Sequence, residues 1–137
     1  MLELATNTFA ILFVPNGTIL TMLLLGTDDV PGDLTDKCTS MCAHFNPYNK
    51  THGCPGIKER HVGDLGNIKS NIRGEAKYTF YDDVIKLRGT KCNIIGRGLI
   101  IHADMDDCGE GDHETSKTTG NSGKRIACAI IGYAQNK

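Results

Sequence analysis

The stretch HFNPYNKTHGCPGIKERHVGD, residues 44–64, decides how the middle of this chain is organised. It holds three of the chain's five histidines and ends in an aspartate, and its proline and glycine residues break any regular helix or strand. A structureless loop of about twenty residues is uncommon in a compact domain unless something organises it. A bound metal ion would organise this one.

Four residues of the stretch have a spacing that suggests such an ion. His44, His52, His61 and Asp64 read H-x7-H-x8-H-x2-D. Three neutral imidazoles and one carboxylate make a closed tetrahedral shell of the kind that suits Zn2+. Because four protein ligands leave no position for water, this zinc would be structural rather than hydrolytic. On spacing alone, a set of loop histidines on a solvated surface is an equal alternative.

Length and composition limit the class of protein. The 137 residues are enough for one domain with a buried core. The net charge of -1 gives no indication of a nucleic acid or an anionic membrane as partner. Sixteen glycines and an aromatic content of 6% are typical of many turns and short strands.

Four short runs predict β-strands. Residues 76–80 and 84–87 alternate between apolar and polar side chains, whereas 99–102 and 126–131 are apolar runs. Residues 109–124 are polar and rich in glycine, and no part of the chain has a helical stripe. Short strands joined by long loops predict an all-β sandwich or barrel.

The N-terminal segment differs from the rest. Two apolar runs, 9–14 and 19–25, flank Pro15-Asn-Gly-Thr18, and a buried β-hairpin is the favoured interpretation. An atypical signal or anchor and an unstructured segment are the alternatives. A secretory signal normally carries an early positive charge, and here no Lys or Arg precedes Lys37. The turn also interrupts the run of about 20 apolar residues that a membrane span needs.

Beyond this segment the chain resembles the copper/zinc superoxide dismutase family, in the family's order, over about three quarters of its length. The resemblance implies an all-β, Greek-key β-sandwich or barrel for residues 32–137, preceded by a divergent, shortened segment over 1–31. The matching pieces are GDLTDKCTS (32–40), HFNP (44–47), RHVGDLGN (60–67), IIGR (94–97), IH (101–102), DD (106–107) and TGNSGKRIAC (119–128).

The resemblance implies two metal sites. The four residues with the zinc spacing would bind zinc, and His44 would be an imidazolate shared with copper. His102 would be a second copper ligand. Asp106 would hold one zinc-ligand and one copper-ligand imidazole through their other ring nitrogens, which fixes their tautomer and orientation.

The resemblance also implies a substrate, a cation and a disulfide. Superoxide would be converted to O2 and H2O2, and Arg125 would attract the anion. Lys117 and Lys124 lie in or beside the loop that would shape this field, although ordinary solvation is the simpler role for them. Cys38 and Cys128 would form the family's disulfide, which is worth about 4–5 kcal/mol for a loop of this length.

The copper half departs from the family. A strand resembling G-F-H-x-H-E precedes the first of those cysteines in the family and supplies two more copper ligands. Here those positions fall on Thr27 and Asp29, and no histidine precedes His44. Two imidazoles, one of them shared with zinc, make a poor copper site. We therefore expect weak or absent activity from this sequence.

Three hypotheses follow from this departure. The chain is a dismutase whose copper site another group completes, a non-catalytic zinc-binding relative that serves as a decoy or binds a partner, or a truncated or variant product of an active enzyme. We expect a homodimer, with a copper chaperone as a further partner. The expected location is cytoplasmic, with secretion as the alternative. The other cysteines, Cys42, Cys54, Cys92 and Cys108, have no evident partners and are interpreted as buried or idle thiols.

Overall fold

The computed structural model describes residues 12–13, 19–25, 34–36, 38–76, 78 and 81–133, and their regular structure is almost entirely strand. The all-β class predicted from the sequence is confirmed. In chain order the elements are β1 (Leu12–Phe13), β2 (Ile19–Leu25), β3 (Asp64–Lys69), β4 (Glu75–Ala76), β5 (Gly98–His102), the single helical turn α1 (Ser116–Thr119) and β6 (Arg125–Ile130).

The described strands form two antiparallel sheets. The larger has the order β3-β2-β5-β6, and the smaller pairs β1 with β4. Across the larger sheet, Thr21 of β2 lies opposite His102 of β5, and His102 lies opposite Arg125 of β6. Two positions further along β2, Leu23 lies opposite Asp64. The sheet therefore brings an aspartate, a histidine and an arginine from three separate parts of the sequence into one region.

The predicted N-terminal hairpin is wrong in its pairing. Both apolar runs do contain strands, but β1 pairs with β4 and β2 pairs with β3 and β5. β2 is an interior strand of the larger sheet, with β3 on one edge and β5 on the other, and Leu23 in it is fully buried. Residues 14–18 and 26–33 lie outside the described part of the chain. The division at residue 31 and the positions of Thr27 and Asp29 therefore stay predictions.

The strand predicted over residues 84–87 is also wrong. The backbone N–H groups of Val84 and Ile85 donate to Oδ1 of Asp82 at 2.8 and 2.9 Å. This aspartate-capped turn competes with a strand ladder for the same donors. Lys86 forms only an isolated bridge to Asn93. Of the strand predicted over 76–80, Ala76 is in β4, and residues 77, 79 and 80 lie outside the described part.

Two buried clusters support the region where the sheet and the 44–64 stretch meet. The larger cluster consists of Phe45, Val62, Leu65, Ile68, Ala76, Ile85, Cys92 and Ile94. In the smaller cluster, Leu23, Met41 and Ile100 pack with Cys38 and Cys128. The guanidinium of Arg97 lies over the Phe45 ring, 3.5 Å from its centroid. Within the described residues, no helix is long and apolar enough to cross a membrane.

Candidate metal centre

Three imidazole nitrogens and one carboxylate oxygen converge at the start of β3. Asp64 Oδ1 lies 2.9 Å from His44 Nδ1, 3.1 Å from His52 Nδ1 and 3.1 Å from His61 Nδ1. The Nδ1 atoms of His44 and His61 are 3.3 Å apart. All four residues are buried, and Asp64 is fully enclosed. The structure thus brings together the four residues that have the H-x7-H-x8-H-x2-D spacing.

These distances fit a small tetrahedral cation. Zn–N bonds of about 2.0–2.1 Å place neighbouring ligand atoms about 3.3 Å apart in a tetrahedron, close to the distances just given. The rings meet edge to face at 62–85°, so they surround a common point rather than stack. His52 Nδ1 is buried and faces Asp64 Oδ1 at 3.1 Å. An imidazole nitrogen that faces a buried carboxylate needs a cation between the two atoms, either a proton or a metal ion.

The carboxylate of Asp64 also orders the loop that carries the histidines. Its Oδ2 accepts hydrogen bonds from the backbone N–H of Gly53 at 3.1 Å and of His61 at 2.9 Å. The N–H of Gly63 donates to the Phe45 carbonyl at 2.9 Å, which ties the loop to the larger cluster. One buried side chain therefore faces the metal position with one oxygen and holds the loop backbone with the other.

A second carboxylate, Asp106, fixes the orientation of His52. Nε2 of His52 donates to Asp106 Oδ1 at 2.7 Å, which leaves Nδ1 directed at the metal position. Asp106 is in turn held by Asn67 of β3, whose side chain donates to the Asp106 carbonyl and accepts from its N–H, both at 2.9 Å. The resemblance implied that Asp106 contacts both a zinc-ligand and a copper-ligand imidazole. The first contact is present, with His52, whereas the other carboxylate oxygen, Oδ2, is buried without a hydrogen-bond partner among the described residues. The bracing by Asn67 was not anticipated.

The charges in this centre are strongly coupled. Burial alone would raise the pKa of Asp64, but hydrogen bonds with the three histidines hold it well below its usual range. Burial lowers the pKa of His44. Burial also acts to lower the pKa of His52, but its hydrogen bonds with Asp106 and Asp64 outweigh that and raise it to about 9. In the metal-free protein, His52 is therefore a cation at neutral pH, with a proton on both ring nitrogens.

Zinc binding should release that proton. Because the pKa of about 9 for metal-free His52 lies above neutral pH, its Nδ1 must lose a proton before it can bind zinc. Titration calorimetry at about pH 7.5 in buffers of different ionisation enthalpy should detect release of about one proton per zinc. The release should disappear above about pH 10, where His52 is already neutral. A binding enthalpy independent of buffer at the lower pH would contradict this prediction.

His102 and Arg125 form a second, adjacent group. The Nδ1 of His102 donates to the Gly123 carbonyl at 2.8 Å, so its Nε2 carries the lone pair, and that atom is buried without a hydrogen-bond partner. Burial lowers the pKa of His102, and the nearby charges of His44 and Arg125 lower it further. The imidazole is thus neutral and free at one nitrogen, as a metal ligand must be.

Arg125 is held by the backbone next to Cys38. Its guanidinium donates to the carbonyls of Cys38 at 2.9 Å, Cys42 at 3.0 Å and Met41. Cys38 is joined by a disulfide to Cys128 of β6, with the two Cα atoms 5.6 Å apart. The bridge that the resemblance implied therefore fixes the backbone that orients this cation.

Other charged residues named from the sequence stay outside the centre. His113 is exposed, and its Nδ1 contacts Thr115 Oγ1 at 2.8 Å. The side chains of Lys117 and Lys124 are also exposed. The carbonyl of Lys117 nevertheless accepts the backbone N–H of His52 at 3.0 Å, so this residue contributes to the centre through its backbone.

The interpretation of Cys54 and Cys108 as idle thiols is wrong. The structure joins them in a second disulfide, with the two Cα atoms 4.8 Å apart. A signal was present in the sequence: each cysteine lies two residues after one member of the His52–Asp106 pair. Among the described residues, Cys42 and Cys92 are free.

Gly120 allows Asp106 and His52 to meet closely. It has a positive φ of 65°, and a Cβ there would collide with Asp106 Oδ1 and come within 2.5 Å of His52 Nε2. Replacing Gly120 with alanine should therefore destabilise the protein by about 2–4 kcal/mol, from backbone strain and overpacking together. Gly132, which has open space around it, is the matched control and should tolerate alanine. Chemical denaturation measures the free energy of unfolding of both variants, and equal values for the two would refute the prediction.

Comparison with known proteins finds relatives that are similar in sequence to this chain. The chain is 64% identical over 104 residues to the Superoxide dismutase (Cu-Zn) of Paramecium bursaria Chlorella virus 1, covering 76% of this chain and 55% of the viral protein. It is 52% identical over 103 residues to that of Cryptococcus neoformans var. grubii, covering 75% and 66% respectively. It is 52% identical over 101 residues to the Extracellular superoxide dismutase (Cu-Zn) of Haemonchus contortus, covering 74% and 55%.

The relatives are longer than the part of them that this chain matches. The chain spans 55–66% of the lengths of these three proteins. Residues 29–131 match the family described as Copper/zinc superoxide dismutase (SODC), and that range includes every candidate ligand described above. The shared sequence and the converging donor set lead to one conclusion: this chain belongs to the copper/zinc superoxide dismutase family.

Proposed function

We propose that this chain binds one zinc ion through His44, His52, His61 and Asp64 and converts superoxide to O2 and H2O2 with reduced activity. The convergence of three Nδ1 atoms on one carboxylate oxygen carries the zinc assignment. The relatives compared above are all named Cu-Zn superoxide dismutases, which supports the reaction. Zinc would order the 44–64 loop, because its ligands span that loop from end to end.

The copper position lies between His44 and His102 in this proposal. Copper, when bound, would supply the one-electron exchange that interconverts superoxide with O2 and H2O2. His102 would offer its unpartnered Nε2, and His44 would use its Nε2, since its Nδ1 faces Asp64. When His44 Nε2 is not bound to metal, it would hold a proton that the product peroxide requires.

Arg125 would draw the substrate to this position. Its guanidinium is held by four backbone carbonyls, those of Cys38, Thr39, Met41 and Cys42, and Arg125 lies opposite His102 in the sheet. Burial lowers its pKa, yet an arginine remains a cation at neutral pH. A fixed positive charge beside the metal position would both steer and orient a small anion.

Activity would be reduced because the chain offers copper few imidazoles. No histidine precedes residue 44 in the sequence, and the exposed His113 contacts Thr115. Two imidazoles, one of them shared with zinc, bind copper weakly compared with a site of several. This shortage is the observation behind the second candidate function, a zinc-stabilised protein without catalysis, which stays the alternative to the dismutase proposal.

The proposed partners follow the family expectation. We propose a homodimer and a copper chaperone as partners, together with the superoxide substrate. For location we keep the cytoplasm, with secretion as the alternative. The second disulfide adds weight to secretion, because disulfides persist best in oxidising compartments.

Metal analysis and a superoxide-decay assay test this function together. Purified protein should contain about one zinc per chain and much less than one copper. After copper loading and removal of loose copper, it should accelerate superoxide decay, and the variant His102→Ala, loaded in the same way, should not. Zinc-filled, copper-treated protein that leaves the decay unchanged would establish the non-catalytic candidate instead.

A further inference from the structure

Two loops of the chain meet at the His52–Asp106 contact. The zinc loop, residues 44–64, carries His52, and the polar loop, residues 103–124, carries Asp106. Besides the 2.7 Å contact between the two side chains, His52 N donates to the carbonyl of Lys117 at 3.0 Å. The position of His52 therefore depends on where the polar loop lies.

The Cys54–Cys108 bridge is the covalent link at this contact. Cys54 follows His52 by two residues, and Cys108 follows Asp106 by two. The N–H of Cys108 donates to Asp106 Oδ1 at 2.7 Å, so the bridge, the carboxylate and the imidazole share one short stretch of structure.

The backbones around the bridge are also close-packed. Gly109, next in sequence to Cys108, has a φ of 73°, and a Cβ there would lie 2.6 Å from the His52 carbonyl oxygen. Glycine at this position lets the polar loop approach the zinc loop directly. The bridge therefore links two loops whose backbones are already in close contact.

The two disulfides hold different parts of the site. Cys38–Cys128 anchors the carbonyls around Arg125 to β6. Cys54–Cys108 anchors the Asp106 segment to the His52 segment. Both cysteines of the second bridge are partly exposed residues.

We infer that the Cys54–Cys108 disulfide controls how long zinc is retained, by holding Asp106 against the zinc ligand His52. With the bridge closed, the carboxylate keeps the imidazole in its binding orientation. With the bridge open, the two loops are held by hydrogen bonds alone, and His52 leaves the metal more often. The control of zinc rests on the proposed zinc role of His52, but the existence of the bridge does not.

The chemistry of opening needs two small thiols. One thiolate attacks a sulfur of the bridge, forms a mixed disulfide and releases the other cysteine as a thiolate. A second thiolate displaces the protein sulfur, and the two small molecules leave as a disulfide. Cys54 and Cys108 are then free thiols, which together have gained two electrons and two protons. A small-molecule disulfide closes the bridge again by the reverse steps.

The bridge is mapped first. The unreduced full-length protein is unfolded in denaturant with the alkylating reagent present, then digested and analysed by mass spectrometry. We expect a peptide pair linked through Cys54 and Cys108, with Cys42 and Cys92 alkylated. Alkylation of Cys54 and Cys108 in protein that retains the Cys38–Cys128 link would overturn the inference.

Zinc release is measured next, with a chromophoric chelator and without reductant. The variant Cys54→Ser/Cys108→Ser should release zinc about tenfold faster than wild type, within the range found for partners of metal-binding histidines. The variant Cys42→Ser, which alters a free cysteine, should release zinc at the wild-type rate. Equal rates for the double variant and wild type would overturn the proposed control. If the purified protein contained no zinc, the proposed function would be contradicted. The disulfide mapping would still show whether the Cys54–Cys108 bridge exists.

A second measurement tests the inference without the double variant, in case that variant does not fold. Wild-type protein is held in graded concentrations of a small thiol, and each sample is analysed for both bridges and for its zinc-release rate. Faster release should follow the opening of Cys54–Cys108. A rate that follows only the opening of Cys38–Cys128 would overturn the inference.

Discussion

Replacing Asp64 with asparagine should weaken zinc binding more than about 100-fold, because it changes a ligand and not merely a ligand's partner. The carboxylate has no acceptor to spare: Oδ1 faces three imidazole nitrogens, and Oδ2 accepts from Gly53 and His61. The amide NH2 of asparagine would either oppose two backbone donors or occupy the ligand position with a group that cannot bind zinc.

The same substitution should lower stability. Breaking a buried charge network costs about 3–5 kcal/mol, which for a domain of this size lowers the midpoint of thermal unfolding by about 10 °C or more. The matched control is Asp83→Asn, which changes an exposed carboxylate and should leave zinc content and midpoint unchanged. Zinc analysis and calorimetry test both proteins, and full zinc occupancy in the Asp64 variant would refute the ligand assignment.

The second large effect is expected from restoring the histidines that the family places before the first disulfide cysteine. The double substitution Thr27→His/Asp29→His should tighten copper binding by about 100-fold, if each imidazole contributes about 1.4 kcal/mol. Superoxide decay at limiting copper should accelerate in parallel, because more of the protein then carries copper.

Its control carries the same two histidines at another place with the same spacing. Arg88→His/Thr90→His puts them on an exposed loop and should leave tight copper binding and superoxide decay at the level of the starting protein. Competition with a copper chelator gives the affinity. Unchanged copper affinity in the Thr27→His/Asp29→His variant would show that these two positions do not correspond to the family's copper-binding histidines.

The metal centre was predictable because its residues are chemically distinctive. Histidines are few, five in 137 residues, so His44, His52 and His61 stand out by spacing together with the nearby Asp64, and the resemblance added His102 and Asp106. The structure then showed which atoms converge. The bracing by Asn67 could not be predicted, because an asparagine in a turn-rich sequence has many other uses.

The strands were harder to predict than the site. The β5 and β6 regions were recognisable from apolar runs, whereas β3 was not, since DLGNIK contains aspartate, glycine and lysine. For β2 the sequence indicated a strand, but partner choice depends on contacts distant in the chain, and local turn chemistry suggested the wrong partner. At residues 84–87 the alternation was real, but Asp82 captured the backbone donors.

The nested arrangement of the two bridges has a consequence for a cut chain. Cys54–Cys108 lies inside the loop closed by Cys38–Cys128, and the exposed stretch 88–91, with trypsin sites at Arg88 and Lys91, lies inside both. A protease that cleaves there produces two fragments tied at two points. The N-terminal fragment keeps all four proposed zinc ligands, and the C-terminal one keeps Asp106, so the nicked molecule would migrate as one band until a reductant separates the halves.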